Sequence, residues 1–452
     1  SRLDQSRFPP RNHHGEAQER LTLQLEEEQS GKQHKMARLW AILRNWLSEN
    51  GEPLRLWLAF RLVLFVIPIF AGILIPFSEH NPLPPDYIPN PNIWMERLIR
   101  SWTRWDGGFY TTIASQGYTP IAHPGNAHIA FFPLYPHLIR AVAVVFAFGN
   151  TRYDALNISG IVISSLATLA LFLGLYKLAR LDYDHQTSRL SVIYLAAFPM
   201  SFFLLAIYTE SLFMALAVWA FWAARKNRWL LACGLAALAV LSKNQGVLLV
   251  AALGIEYLYQ IRFNPKRLDW RIFTFGLPAL ALAGWMGINA LTFGDPLQYV
   301  KAAQDNFARF FAWPFNTLGF ATEHFFNQRS PGTFLPPNYD PGYDLDSILY
   351  DYPITLAFLG VGVVALVAVW RKRVRLSYVA FFALCLAQPL FSPNRISILA
   401  SLPRYLLLIF PAFLLLALLG RRWPLFHYLY LGLNLPLLGI FLARYALNYW
   451  VA

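Results

Sequence analysis

Apolar residues in this chain come in long blocks separated by short polar links. Leu54 to Phe77 carries only Arg55 and Arg61 as charges, and Thr355 to Trp370 and Tyr405 to Gly420 carry none. Runs of roughly 18 or more mostly apolar residues read as membrane helices. Spans are therefore expected near residues 54–77, 156–178, 190–208, 210–224, 272–293, 353–370, 376–391, 403–420 and 424–443. A further apolar stretch, 229–259, is interrupted by Ser242-Lys243-Asn244-Gln245-Gly246. A broken membrane helix exposes backbone that protein or water must satisfy, so it marks a cavity. Residues 131–149 are apolar but hold Pro133, Pro136, His137 and Arg140, which predicts a segment that dips into the membrane without crossing it.

The expected fold is all-α: an integral membrane domain over residues 36–452 with about ten transmembrane helices. Its two large loops fall near 78–130 and 294–351, and Ile93–Ser115 in the first is expected to lie along the interface as an amphipathic segment. Residues 1–35 are polar and lack a secretory apolar core, and are expected to form a disordered cytoplasmic tail or upstream extension. Met36 to Ser48 has the pattern of an amphipathic helix on a membrane surface.

Composition sharpens this picture. The chain is 56% hydrophobic and 14% charged, against about 25% charged for a soluble domain, so a large soluble core is excluded. The net charge of +13 does not point to nucleic acid, because the basic residues cluster in short links. These are Arg225-Lys226-Asn227-Arg228, Lys266-Arg267 with Arg262 and Arg271, Arg371-Lys372-Arg373-Val374-Arg375, and Arg421-Arg422. That is the pattern of cytoplasmic loops in a multi-pass protein in contact with anionic lipid. With the links in the cytoplasm, the segment around Asp106, Tyr208-Thr209-Glu210, the 242–246 break and both large loops face the other side. The membrane would be the plasma membrane of a bacterium or the endoplasmic reticulum of a eukaryote. Cys233 and Cys385 lie in apolar runs and offer neither a disulfide framework nor metal-ligand spacing. Neither a dinucleotide fingerprint nor a P-loop is present, which leaves nucleotide-driven transport unsupported.

Thr103-Arg104-Trp105-Asp106-Gly107-Gly108-Phe109-Tyr110 sets a carboxylate in an aromatic segment between apolar blocks. A carboxylate there is costly unless it is used, although Asp is also a favoured helix N-cap. The same face collects His128, Glu210, Lys243, Asn244, Arg309, Arg404 and Tyr405. Arg and Lys hold phosphates, and aromatic faces suit sugar rings and lipid headgroups alike. Together these point to sugar transfer from a lipid phosphate. The leaving phosphate needs charge stabilisation and no proton, so the usual carboxylate pair reduces to one base, and an ordinary aspartate is ionised at neutral pH. The candidate base is Asp106. Arg404, Lys243, Arg309 and Arg104 are candidates for the donor phosphate, and Glu210, His128, Asn244, Tyr405 and Trp105 for substrate. The scheme requires no cofactor or metal, while a weak metal site shared by Asp295 and Asp106 stays open. A lipid-linked sugar transporter would need the same aromatics, cations and broken helix, but no base.

Arg104-Trp105-Asp106, Ile113-Ala114, Gly117-Tyr118 and Ala130-Phe131-Phe132-Pro133 with Pro136 resemble the first-loop signature of the PIG-V family, the GPI mannosyltransferase 2 proteins and their bacterial relatives. Pro199 with Phe202-Phe203, then Tyr208-Thr209-Glu210-Ser211-Leu212-Phe213, is similar to that family's next segment. Ser242-Lys243-Asn244-Gln245-Gly246 resembles its Arg-Ser-Asn-Gly break, with Lys for Arg and an inserted Gln. Gly294-Asp295-Pro296-Leu297 with Gln304 and Arg309, and Pro403-Arg404-Tyr405, resemble the bacterial branch, so the likeness runs over about residues 54–443. It implies a GT-C fold and an inverting transferase with a polyprenyl-phosphate sugar donor, mannose by resemblance, and a lipid-linked or glycolipid acceptor. Another polyprenyl-phosphate sugar is the alternative donor. The family's first-loop aspartate falls on Asp106.

Overall fold

The computed structural model describes residues 13–78, 92–119, 124–146, 152–327, 341–395 and 397–451. They fold into helices and turns with a single isolated bridge, Arg309 to Asn394, between extended segments. In order, the helices are α1 His13–Leu74, α2 Ile93–Leu98, α3 Asp106–Gln116, α4 Leu134–Phe146, α5 Tyr153–Ala179 and α6 His185–Ala197. Then come α7 Glu210–Arg225, α8 Trp229–Ser242, α9 Gly246–Gln260, α10 Gly276–Phe293, α11 Gln298–Asn306 and α12 Pro314–Asn327. The last are α13 Pro341–Trp370, α14 Leu376–Phe391, α15 Leu402–Leu407, α16 Phe410–Arg422 and α17 Pro424–Ala446. The chain divides into two compact units, Ser1–Glu52 and Pro53–Ala452. Helix α1 begins within the first of these, at His13.

Among the described residues, five helical stretches are long and apolar enough to cross a membrane: Arg44–Leu74, Tyr153–Ala179, Trp270–Phe293, Ile348–Trp370 and Pro424–Ala446. Four shorter apolar helices, α4, α8, α9 and α14, accompany them. Outward-facing apolar side chains such as Leu62, Phe70, Leu280, Leu366 and Leu429 suit contact with lipid tails. Inside them α6, α7 and α16 are largely buried, with α5 packed against α7 and α16 against α6.

Two expected spans are broken, and proline explains both. The helix predicted over 190–208 stops at Ala197, because Pro199 disfavours helical backbone at Phe198, which sits at φ −63°, ψ 136°. A short 3-10 turn, Ser201–Leu204, and a buried irregular segment carry the chain to α7. The span predicted over 403–420 splits into α15 and α16, since Pro411 has no N–H for the Leu407 carbonyl. Helix α4, with 13 residues, is about 20 Å long and falls short of a membrane core. Ile93–Ser115 does not form one interfacial helix. It breaks into α2, a 3-10 turn at Arg100–Trp102 and α3, and buries Trp102, Thr103, Tyr110 and Ile113.

The expected break at 242–246 is present between α8 and α9. Its glycine is required by contact: a Cβ on Gly246 would lie 2.4 Å from Val240 Cα, so the turn closes only without a side chain.

Candidate functional site

The start of α3, the start of α7, the α8–α9 break, α11, the end of α14 and α15 converge with several loop segments. Between them lies a cavity of about 330 Å³. Asp106, Tyr208, Glu210, Lys243, Asn244, Arg309, Arg404 and Tyr405 line it, with Phe131, Gln304, Gln388, Ser401 and Trp450 completing its walls.

The backbone before α3 is held in an unusual state. Trp105 takes φ 54°, ψ −122°. A bulky residue at positive φ costs on the order of 1–3 kcal/mol, so surrounding contacts must impose it. Ile207 N–H donates to the Trp102 carbonyl at 3.0 Å, and Tyr208 O–H donates to the Arg104 carbonyl at 3.0 Å. These bonds tie the Asp106 segment to the irregular chain that leads into α7.

The charged side chains form an alternating row. Arg404 Nη1 is 2.7 Å from Asp106 Oδ2, and Arg404 Nε is 3.6 Å from Glu210 Oε1. Lys243 Nζ is 2.9 Å from the same Glu210 oxygen and donates to Thr209 Oγ1 at 3.2 Å. Glu210 is fully buried, so this pairing offsets a large desolvation cost. Its Oε2 is buried with no hydrogen-bond partner among the described residues. Three cations also surround one ring: Lys243, Arg309 and Arg404 lie 5.8, 5.8 and 5.6 Å from the Tyr405 centroid, within cation–π range.

The sequence-derived candidates separate into two groups. Asp106, Glu210, Lys243, Asn244, Arg309, Arg404 and Tyr405 come together at the cavity. Arg309 also donates to the carbonyls of Ser392 and Ala400, each at 3.0 Å, pinning the segment that leads into α15. Arg104, His128 and Trp105 are not among the lining residues. Arg104 turns away and is buried: its Nε donates to the Ala446 carbonyl at 3.3 Å, and its guanidinium lies over Phe77. His128 is buried between the rings of Tyr118 and Phe293. Trp105 stands behind the wall, edge-on to Trp450 at 4.7 Å between centroids. Asp295 is not a lining residue either. It pairs with Lys301, which holds its carboxyl below the usual range. Among the described residues no group of three or more His, Cys, Asp or Glu is placed to hold a metal.

Sequence reasoning missed Tyr208, Gln388, Ser401 and Trp450. Tyr208 had a visible signal, since it adjoins Glu210 in the Tyr-Thr-Glu segment. Trp450 had none, because nothing near it in sequence suggests a cavity.

The basic links sit at the opposite ends of the same helices. Arg225, at the end of α7, pairs with both oxygens of Asp182 at 2.6 and 2.7 Å. Arg375 reaches Glu256 of α9 at 3.0 Å, and Arg421 reaches Asp184 at 3.6 Å.

A family model described as dolichyl-phosphate-mannose-protein mannosyltransferase matches residues 123–287. That region is less than half of the chain and includes Glu210, Lys243 and Asn244. Among solved structures, the chain is similar to the Archaeoglobus fulgidus oligosaccharyltransferase. Against the complex with Zn and sulfate the identity is 13% and the TM-score 0.42, covering 86% of this chain and 53% of that one. Against the apo form they are 11% and 0.43, covering 87% and 56%. The chain thus spans about half the length of those proteins. A comparison with curated proteins found no match.

Proposed function

We propose that this chain is a multi-pass membrane glycosyltransferase of the GT-C type, related to the PIG-V mannosyltransferases. It transfers mannose from a polyprenyl-phosphate donor to a hydroxyl of a lipid-linked or glycolipid acceptor, with inversion. The glycosyltransferase class rests on the family match. The observation that carries the rest is the position of Asp106: it lines the cavity and shares Arg404 with the buried Glu210–Lys243 pair. The opposite placement of the basic links supports an extracytoplasmic site.

In this reading Arg404 fixes the Asp106 carboxylate through Oδ2, and Oδ1 accepts the proton of the acceptor hydroxyl. The hydroxyl oxygen bonds to the anomeric carbon as the bond from that carbon to the phosphate oxygen breaks. The polyprenyl phosphate departs with the bonding electrons. Lys243 and Arg309 receive that charge: a guanidinium has five N–H groups, and the two backbone carbonyls bound by Arg309 engage two of them. A positioned cation in a dry cavity stabilises a developing anion far more than in water.

The test is transfer from labelled polyprenyl-phosphate mannose by wild type and Asp106→Asn in detergent. Product from wild type and almost none from the variant is expected. Equal product from both removes Asp106 as base. Competition by a panel of polyprenyl-phosphate sugars then checks the choice of mannose.

A further inference from the structure

Helix α5 has two unlike faces. Ile158, Val162 and Leu166 point outward and are exposed. Asn157, Gly160, Ser164 and Thr168 recur at helical spacing on the opposite side, and all four are buried. None of the four lines the cavity. Each nevertheless touches a segment that leads into it.

The irregular, buried run before α7 needs partners for its carbonyls, and α5 supplies two. Thr168 Oγ1 donates to the Leu204 carbonyl at 2.6 Å, and Ser164 Oγ to the Ala206 carbonyl at 2.8 Å. Thr168 Oγ1 also lies 2.8 Å from the Ser164 carbonyl within α5. With the Ser164 hydrogen used on Ala206, Tyr135 O–H donates to Ser164 Oγ at 2.6 Å. The Ala206 carbonyl accepts from Tyr208 N–H as well, at 2.8 Å, which closes a tight turn. Gly160 makes room for that turn: a Cβ there would stand 2.9 Å from Ile207 Cγ2. The same turn grips the loop that carries Asp106, through Ile207 to Trp102 and through Tyr208 to Arg104. Asn157 of α5 reaches that loop directly, its Oδ1 accepting from Thr103 Oγ1. One face of one helix thus aligns the two segments whose acids, Asp106 and Glu210, share Arg404.

Resting on the transferase reading above, we propose that Ser164 and Thr168 are positioning residues for Asp106. They fix the run before α7 against α5, and that run fixes the backbone on which Asp106 meets Arg404. Misplacing a reacting group by about 1 Å costs on the order of 10²-fold in rate, so hydroxyls that never touch substrate still act on transfer. Small and hydroxylated residues also pack membrane helices together. Bonds of that kind alone would change stability and leave the rate of the folded protein as it is.

The experiment uses the full chain in nanodiscs, with labelled polyprenyl-phosphate mannose as donor and octyl mannoside as acceptor probe. Ser164→Ala removes one donor. Thr168→Val removes the other and keeps the shape, while Thr168→Ser keeps the hydroxyl and loses a methyl. In Ser164→Ala and Thr168→Val, kcat of the folded fraction should fall about tenfold with both KM values unchanged. Thr168→Ser should stay near wild type. Amide hydrogen exchange should quicken in peptides covering 102–110 and 203–209, and stay as it is in α16. Equal kcat in Thr168→Val and Thr168→Ser overturns the proposal. So does a change in KM alone, or lower stability with wild-type kcat in the folded fraction. If Ser164→Ala does not fold, the Thr168 pair decides. If wild type transfers nothing to the probe, the transferase reading fails, and exchange then decides the alignment separately. Faster exchange at 102–110 in Thr168→Val supports it, and unchanged exchange there overturns it.

Discussion

Glu210 and Glu256 are both fully buried acids on apolar helices, and both pair with a cation from elsewhere in the chain. Their surroundings differ. Glu256 is saturated: Oε1 accepts from Arg375 at 3.0 Å and Gln260 at 2.9 Å, and Oε2 accepts from Ser377 at 2.6 Å. Glu210 concentrates its partners on one oxygen, next to a cavity, and its second oxygen has no hydrogen-bond partner among the described residues. The first arrangement locks two helices together. The second keeps a row of charges in balance without using up its capacity, which suits a site that must accept a further charge. Burial and pairing alone thus do not separate a clamp from a site; saturation and access do.

The largest expected effect tests the open end of this comparison. Asp106→Asn should lower kcat for transfer by roughly 10²–10⁴, the range of a general base, in the protein that remains folded. Glu210→Gln should lower kcat less than Asp106→Asn, because Arg404 keeps its contact with Asp106 while losing a second anchor. If Glu210 were a clamp like Glu256, the folded fraction of Glu210→Gln would turn over at the wild-type rate.

Glu256→Gln tests the closed end. It leaves the part-buried Arg375 beside a neutral group, and since breaking a fully buried pair costs about 3–5 kcal/mol, a smaller cost is expected here. A clear fall in melting temperature is expected, with normal KM for donor in the protein that remains folded. A variant as stable as wild type would remove the distinction between the two acids.

What the sequence carried and what it did not follow from the range of the interactions. Blocks of apolar residues, the 242–246 break and the isolated aspartate are local signals, and each was legible. Breaks next to Pro199 and Pro411 were local too, but apolar continuity over 190–208 and 403–420 masked them. Long-range pairing was not legible: Arg404 finds Asp106 from 298 residues away, and its assignment to the donor phosphate did not foresee an ion pair with the base. Arg104 shows the opposite failure. Adjacency to Trp105 and Asp106 suggested the site, yet the turn at Trp105 sends its side chain to Ala446.

Arg309 offers a subtler probe of the open end. Its guanidinium fixes the Ser392 and Ala400 carbonyls and lies beside Tyr405. Arg309→Lys keeps the charge but loses the planar fork. Donor KM should rise several-fold, by about 1 kcal/mol, with acceptor KM little changed. A rise confined to acceptor KM would move Arg309 away from the phosphate.

The smallest effect lies at the closed end, at Asp184. Its carboxylate is the N-cap of α6, accepting from Thr187 N–H at 2.8 Å. The hydrogen bonds from Thr187, with a smaller pull from Arg421, hold this carboxyl below its ordinary value. A lowered folded-state value means that the ionised cap stabilises the protein above the ordinary carboxylate range near ~3.9, and that this contribution is lost as pH falls through the folded value. Because Asn caps as well as Asp without ionising, Asp184→Asn should match wild type at pH 7 and lose less stability on acidification. Asp184→Ala should be weaker by about 0.5–2 kcal/mol at neutral pH, read as a small shift in melting temperature. Transfer activity should be unchanged in both, since the cap lies among the basic links and away from the cavity. A loss of activity in Asp184→Asn at wild-type stability would mean that the two ends are coupled, and would remove the division between clamp and site.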